Sequence, residues 1–180
     1  MKKIIYVLSI IILTQFTGCI VFHSVSYEVN INDDGTGTAL VTIEDINSDA
    51  ASKENLDEDV KSILEYGLKS DEFVDEQKAD GKNITSRNLL VEREKLNALV
   101  RYEFTDVSRV EGMKFDDPYY YLTVAADDSI ISTNGQITKT AEYQRIVWDK
   151  SIKTLKFKMY SDDTSKEGLK SLTPFYLKDN

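Results

Sequence analysis

Cysteine and histidine, the side chains that most often supply nucleophiles and metal ligands, occur once each in 180 residues, as Cys19 and His23. Metal sites built on His or Cys, and nucleophiles that depend on a His, are therefore all but excluded. Carboxylates are abundant, with 31 Asp and Glu. A glycoside hydrolase needs only two of them, but no spacing singles out a pair. The expectation is a chain without catalytic residues, without a metal and without a cofactor.

Oxygen ligands come closest to a pattern at Asn30, Asn32 and Asp34 before Gly35, the first half of a calcium loop. Counted from Asn30, the twelfth position is Val41, where a bidentate Glu should stand, so a Gly-containing hairpin turn is the simpler reading. The doubled acids Asp116-Asp117, Asp127-Asp128 and Asp162-Asp163 each stand beside an expected strand end, where Asp favours turn hydrogen bonds. Asp128-Ser129-Ile130 resembles a bacterial O-glycosylation motif, and Asn83-Ile84-Thr85 is a sequon with little meaning in a bacterium. The densest aromatic stretch is Pro118-Tyr119-Tyr120-Tyr121-Leu122. Alternate tyrosines of a strand point to opposite sheet faces. Tyr119 and Tyr121 are thus the candidate contacts for a lipid-like ligand, a sugar or an envelope protein, or else they pack beneath a loop. Trp148 reads as core, and His23 as an exposed or headgroup-level side chain.

The N-terminus carries the most specific signal. Lys2 and Lys3 precede the apolar run from Ile4 to Leu13, and a polar stretch leads to Cys19. This is the outline of a signal peptide. Ten helical residues span about 15 Å, half of the roughly 30 Å of a bilayer core. Phe16-Thr17-Gly18-Cys19 resembles the lipobox of bacterial lipoproteins, with Phe16 where Leu is usual. The resemblance implies cleavage before Cys19, acylation of that residue, and attachment to the membrane through it. A position-two Ile20 in place of the retaining Asp implies passage to the outer membrane, facing the periplasm, in a Gram-negative cell. Residues 1–18 would then be the signal peptide, 19–23 the acylated Cys with a short tether, and 24–180 one domain.

Charge narrows the partners. Loss of Lys2 and Lys3 takes the net charge from −9 to −11. Such an excess opposes phosphate backbones and anionic headgroups, so nucleic acid and polybasic membrane docking are excluded.

The elements that must position these residues follow from periodicity. Val25, Tyr27, Val29 and Ile31 alternate with polar residues, Asn32 to Gly37 supplies a turn, and Ala39, Val41 and Ile43 resume the alternation, a hairpin. Leu56, Val60, Ile63, Leu64 and Leu68 line one face of a helix over 56–68, with Asn55 and Glu58 as a capping box. A second hairpin turns at Lys95 to Asn97. Val100 in it and Phe157 further on read as core positions, and further strands fall at 119–125, 129–133, 144–148 and 154–160. Asn134-Gly135 is a turn. The fold class is α+β: about seven or eight strands in a predominantly antiparallel sheet of hairpins and meander, with one main helix packed on one face. The order of elements loosely resembles an LppM-like lipoprotein domain, which implies a helix over a sheet and no transferable catalytic motif. The expected function is a membrane-anchored, non-catalytic binding or assembly-support module. A lipid or glycolipid carrier with a cavity between helix and sheet, or a carboxylate-based glycan hydrolase, are the alternatives. The margin of helix 56–68 together with Tyr119 and Tyr121 is the expected contact region.

Overall fold

The computed structural model describes residues 20–160 and 168–179. Phe16, Thr17, Gly18, Cys19 and the Asp162-Asp163 pair lie outside the described residues. In chain order the elements are β1 (Ile20–Val21), β2 (Ser24–Ile31), β3 (Gly37–Glu44), β4 (Asn47–Ser48), α1 (Lys53–Lys61), a π-helical segment (Ser62–Gly67), α2 (Asp71–Ala79), β5 (Lys82–Glu92) and β6 (Lys95–Phe104). A single 3-10 turn (Val107–Arg109) precedes β7 (Lys114–Asp116), β8 (Tyr119–Ala125), β9 (Ile130–Thr133), β10 (Gln136–Lys139), β11 (Tyr143–Asp149), β12 (Thr154–Tyr160), β13 (Lys170–Ser171) and α3 (Thr173–Asp179). The protein is α+β and antiparallel.

Its strands form three sheets, of order β5-β6-β3-β2-β12-β9, β10-β11-β8-β7 and β1-β4-β13, where the sequence suggested a single sheet. Period-two alternation is blind to which strands share a sheet, because each strand has one buried face in either arrangement. The first hairpin stands as expected, Tyr27 opposite Val41 and Val29 opposite Ala39. Its turn closes as Asn32 N–H donates to Thr36 O at 2.8 Å, with Gly35 at φ 84°. The meander does not: β12 enters between β2 and β9, so the last long strand pairs with the first.

One face of the six-stranded sheet carries both layers that cover it. Tyr27, Val29, Leu155 and Phe157 on that face pack with Leu122, Val124, Ile146 and Trp148 of the four-stranded sheet. Trp148 has no exposed surface, Phe157 keeps 2% and stacks on Tyr27 at 4.6 Å, while Val100 is only half-buried. Towards β5 and β6 the same face is covered by helix residues Leu56, Val60 and Ile63 and by Phe175 and Tyr176 of α3, around Ile46, Leu96, Ala98 and Leu172. Among the described residues no element covers the opposite face.

The helix differs in extent from its sequence outline. Ser52 is the N-cap, its hydroxyl accepting Asn55 N–H at 3.1 Å, so α1 begins three residues before Leu56 and Asn55 lies inside it. A serine hydroxyl competes well for that position. The chain stays helical through the π segment and pauses at Ser70, whose hydroxyl caps α2 by accepting Glu72 N–H. Arg87, reaching from β5, donates to the carbonyls of Gly67 at 3.1 Å and Ser70 at 2.7 Å, satisfying the groups freed at the break. The second hairpin turns at Arg93-Glu94, φ 51° and 65°, and not at Lys95 to Asn97. Two positive φ angles form a mirror-image turn normally signalled by Asn or Gly, and here neither residue announces it.

Asn134-Gly135 is a corner between sheets instead of a hairpin turn, linking β9 of the larger sheet to β10 of the smaller. Asn134 Oδ1 accepts from Trp148 Nε1 and from Lys156 N–H, both at 2.8 Å, and its amide donates to Thr154 O at 2.8 Å. A Cβ on Gly135 would stand 2.7 Å from Trp148 Nε1 and from Ile146 Cγ2. Only glycine lets the backbone pass that closely over the indole.

Candidate functional site: the tyrosine face of the four-stranded sheet

Residues opposite one another in an antiparallel ladder share a face. Tyr120, Leu122 and Val124 of β8 turn inward with Trp148 and Ile146 of β11. Tyr119 and Tyr121 therefore turn outward, as the alternation predicts. Tyr119 is 47% exposed and Tyr121 half-buried. Across the ladder Tyr121 meets Val147 on one side and Lys114 on the other, and Tyr119 meets Asp149 and Asp116.

Arg145 and Tyr143 of β11, which carry no signal of their own in the sequence, complete the face. Arg145 of β11 lies opposite Thr123, with its guanidinium carbon 4.6 Å from the Tyr121 ring centroid and 5.1 Å from that of Tyr143. Its Nε–H donates to Thr123 Oγ1 at 3.0 Å. A guanidinium held between two ring faces is fixed in orientation while its remaining N–H groups stay available. At the β7–β8 end, Lys150 donates to Asp117 at 2.6 Å, which raises the ammonium above its ordinary range. The helix margin is not part of this surface: α1 and the π segment cover the β5–β6 end of the larger sheet, whereas Tyr119 and Tyr121 point away from that sheet. Beside the helix, Val60, Leu64 and Phe175 line a separate groove of 220 Å³.

Asp34 Oδ1 accepts from the backbone and hydroxyl of Thr36, which holds its carboxyl below the usual range. Asn32 bonds the same hydroxyl, so both side chains serve the hairpin turn. Asp128 Oδ2 accepts Ala125 N–H at 2.8 Å in the turn after β8. His23 is half-buried and meets Tyr160 edge to face at 5.2 Å. Asn83 donates to Glu103 on the neighbouring strand. Among the described residues no three of His, Cys, Asp and Glu gather to hold a metal ion. None of their helices is long and apolar enough to cross a membrane.

Two buried carboxyls had no sequence signal. Glu111, at φ 53° after the 3-10 turn, accepts the Tyr27 hydroxyl at 2.8 Å, and its other oxygen is buried without a donor among the described residues. Burial raises its carboxyl, partly offset by the Tyr27 hydrogen bond and by Lys82. Burial and the nearby Glu111 likewise raise Tyr27 and Tyr102. Asp59 of α1 is 1% exposed and accepts the Ser48 hydroxyl at 2.6 Å; burial raises it too. A shallow trough of about 420 Å³ crosses the open face of the larger sheet, lined by Ser26, Leu40, Thr42, Ser132 and Lys156. The tyrosine face can hold a planar anion or a ring by contact, and it brings no nucleophile beside a base.

No family model, curated protein or solved structure matches the chain.

Proposed function

We propose that the chain is a bacterial envelope lipoprotein, held in the membrane by acyl groups on Cys19, whose α+β body is a non-catalytic binding or assembly-support module. The observation that carries this reading is the start of the body. Ile20 and Val21 form β1 and pair with Ser48 and Asn47, Val21 is 6% exposed, and Phe22 packs on both core clusters. Residues 20–23 are therefore folded structure and not a loose tether. An acyl group on Cys19 would be bonded one residue from a paired strand, so the body would sit against the bilayer, facing the periplasm from the outer membrane on the proposed route. Each buried methylene adds about 0.8 kcal/mol, and two or more chains anchor stably. The outward Tyr119 and Tyr121 face is the proposed partner surface, reaching ligands only near that membrane.

Metabolic labelling with a fatty-acid analogue, followed by membrane fractionation, tests the reading. The wild-type chain should carry label and sediment with membranes, and Cys19→Ser should abolish both. Unchanged labelling and sedimentation of Cys19→Ser would remove the anchor from the proposal.

A further inference from the structure

We propose that the outer face of the four-stranded sheet binds a carboxylate-bearing saccharide, the Arg145 guanidinium taking the carboxylate while the Tyr119 and Tyr121 rings lie beneath the sugar. This deepens the reading of the body as a binding module and rests on it. The starting point is how Arg145 is held. Several lysines elsewhere in the molecule spend their charge on acids: Lys150 on Asp117, Lys153 on Asp33, Lys156 on Glu28 and Lys158 on Glu44. Arg145 has no ion pair among the described residues, in a chain with 31 acids. Two tyrosine rings and one Nε–H bond to Thr123 hold it instead. The fork that matches a carboxylate with two parallel N–H donors is therefore preset and unspent, and little side-chain entropy remains to be lost on binding.

The neighbours of Arg145 add the rest of a recognition surface. Lys114, opposite Tyr121, is a second cation without a carboxylate partner among the described residues. Tyr119 leaves 47% of its surface to solvent, an amphipathic ring presented on a rigid strand. Asp116, opposite Tyr119, can accept from sugar hydroxyls at the far end. The ladder also discriminates between ligand classes. The face itself presents side chains, because β8 and β11 turn their backbone groups edgeways, toward one another, so an extended peptide, which binds by adding a strand at an edge, gains nothing on this face. An acyl chain needs an enclosed apolar trough, and this surface is open and charged. A ring with hydroxyls and a carboxylate meets each feature.

Saturation-transfer NMR on the full-length chain in detergent micelles, with trigalacturonate as the probe, tests the site. Contact on one flat face implies a Kd of about 1 mM. The methyl-esterified trimer, which keeps the sugar and loses the charge, should bind about tenfold more weakly to the wild-type protein. Arg145→Lys, which keeps charge and loses the fork, should lose a similar factor. Equal binding of acid and ester, equal binding by Arg145→Lys, or no saturation transfer at about 10 mM probe would overturn the proposal. Tighter binding of hexaglutamate than of trigalacturonate would overturn the saccharide in favour of an acidic peptide. Cys19→Ser should leave trigalacturonate binding unchanged, so failure of the anchor and failure of this site read out separately.

Discussion

The four-stranded sheet and the helices share one face of the larger sheet, and they cover it to different depths. Under the smaller sheet, Trp148, Ile146, Leu155 and Val29 have no exposed surface, and aromatic rings interlock, Tyr27 on Phe157 and Phe157 beside Trp148. Under the helices the buried cluster is smaller, Ile46, Leu96, Ala98 and Leu172, with Leu64 and Phe73 buried on the helical segments, and Leu56, Val60 and Ile63 remain half-exposed. Sheet on sheet closes a layer from both sides, whereas a short helical run on a sheet leaves its flanks open. The sandwich end should therefore hold most of the stability, and the helical end should tolerate change. Each end also encloses one carboxyl, Glu111 in the first and Asp59 in the second.

Urea unfolding of variants from the two ends sharpens or breaks this contrast. Phe157→Ala should be the largest loss, about 3 to 5 kcal/mol. A loss below about 1 kcal/mol would mean the sandwich is not the main core. Gly135→Ala comes next. It places a methyl against Trp148 and Ile146 at 2.7 Å, and overpacking of this kind costs about 1 to 3 kcal/mol. No change there would show that the inter-sheet corner is loose.

At the helical end, Ser48→Ala removes the hydroxyl that donates to the buried Asp59 carboxyl. The expected cost is about 1 to 2 kcal/mol, and no cost would show that Asp59 is wetter than its 1% exposure implies. The two carboxyls share a pH dependence. Burial raises both above their usual range, so between the unfolded and folded values the folded chain holds more protons than the unfolded one. Their contribution is complete below the unfolded values, about 3.9 for Asp59 and about 4.3 for Glu111, and declines as pH rises through the folded values. Glu111→Gln removes the Glu111 part, so its stability relative to wild type should rise with pH from about 4.3 upward. Parallel stability curves for the two proteins would show that Glu111 does not bury charge.

Much of this fold is legible where local pattern and tertiary setting agree. β8 and β12 span 119–125 and 154–160 as their alternation reads, because both bury one face against the same core. Short edge strands are not legible: β7 and β10 are almost wholly exposed, so neither alternates in a way that burial enforces. Turn chemistry misleads in both directions. Arg93-Glu94 turns without a turn residue, and Asn134-Gly135 carries the strongest turn signal yet leaves one sheet for another. Its Gly answers the indole of Trp148, 13 residues further along the chain, which no window of neighbours contains. The candidate site divides the same way. The outward facing of Tyr119 and Tyr121 follows from period two. Arg145 belongs to their surface only through the β8–β11 ladder, which joins it to Thr123 from 22 residues away.

The position of β12 has a consequence for timing. Its Thr154 bonds Asn30 across a separation of 124 residues, and β12 separates β2 from β9 in the larger sheet. The first hairpin can form early, but its outer flank stays an open edge until residues 154–160 arrive. Long-range antiparallel pairing of this kind slows folding, with rates in the millisecond-to-second range for two-state β-rich domains. A nascent chain lacking β12 is thus held short of its native state, presenting Tyr27 and Val29 without their cover. Such a chain remains threadable for longer than one whose sheet closes from neighbours in sequence, and more in need of a holding partner while it waits.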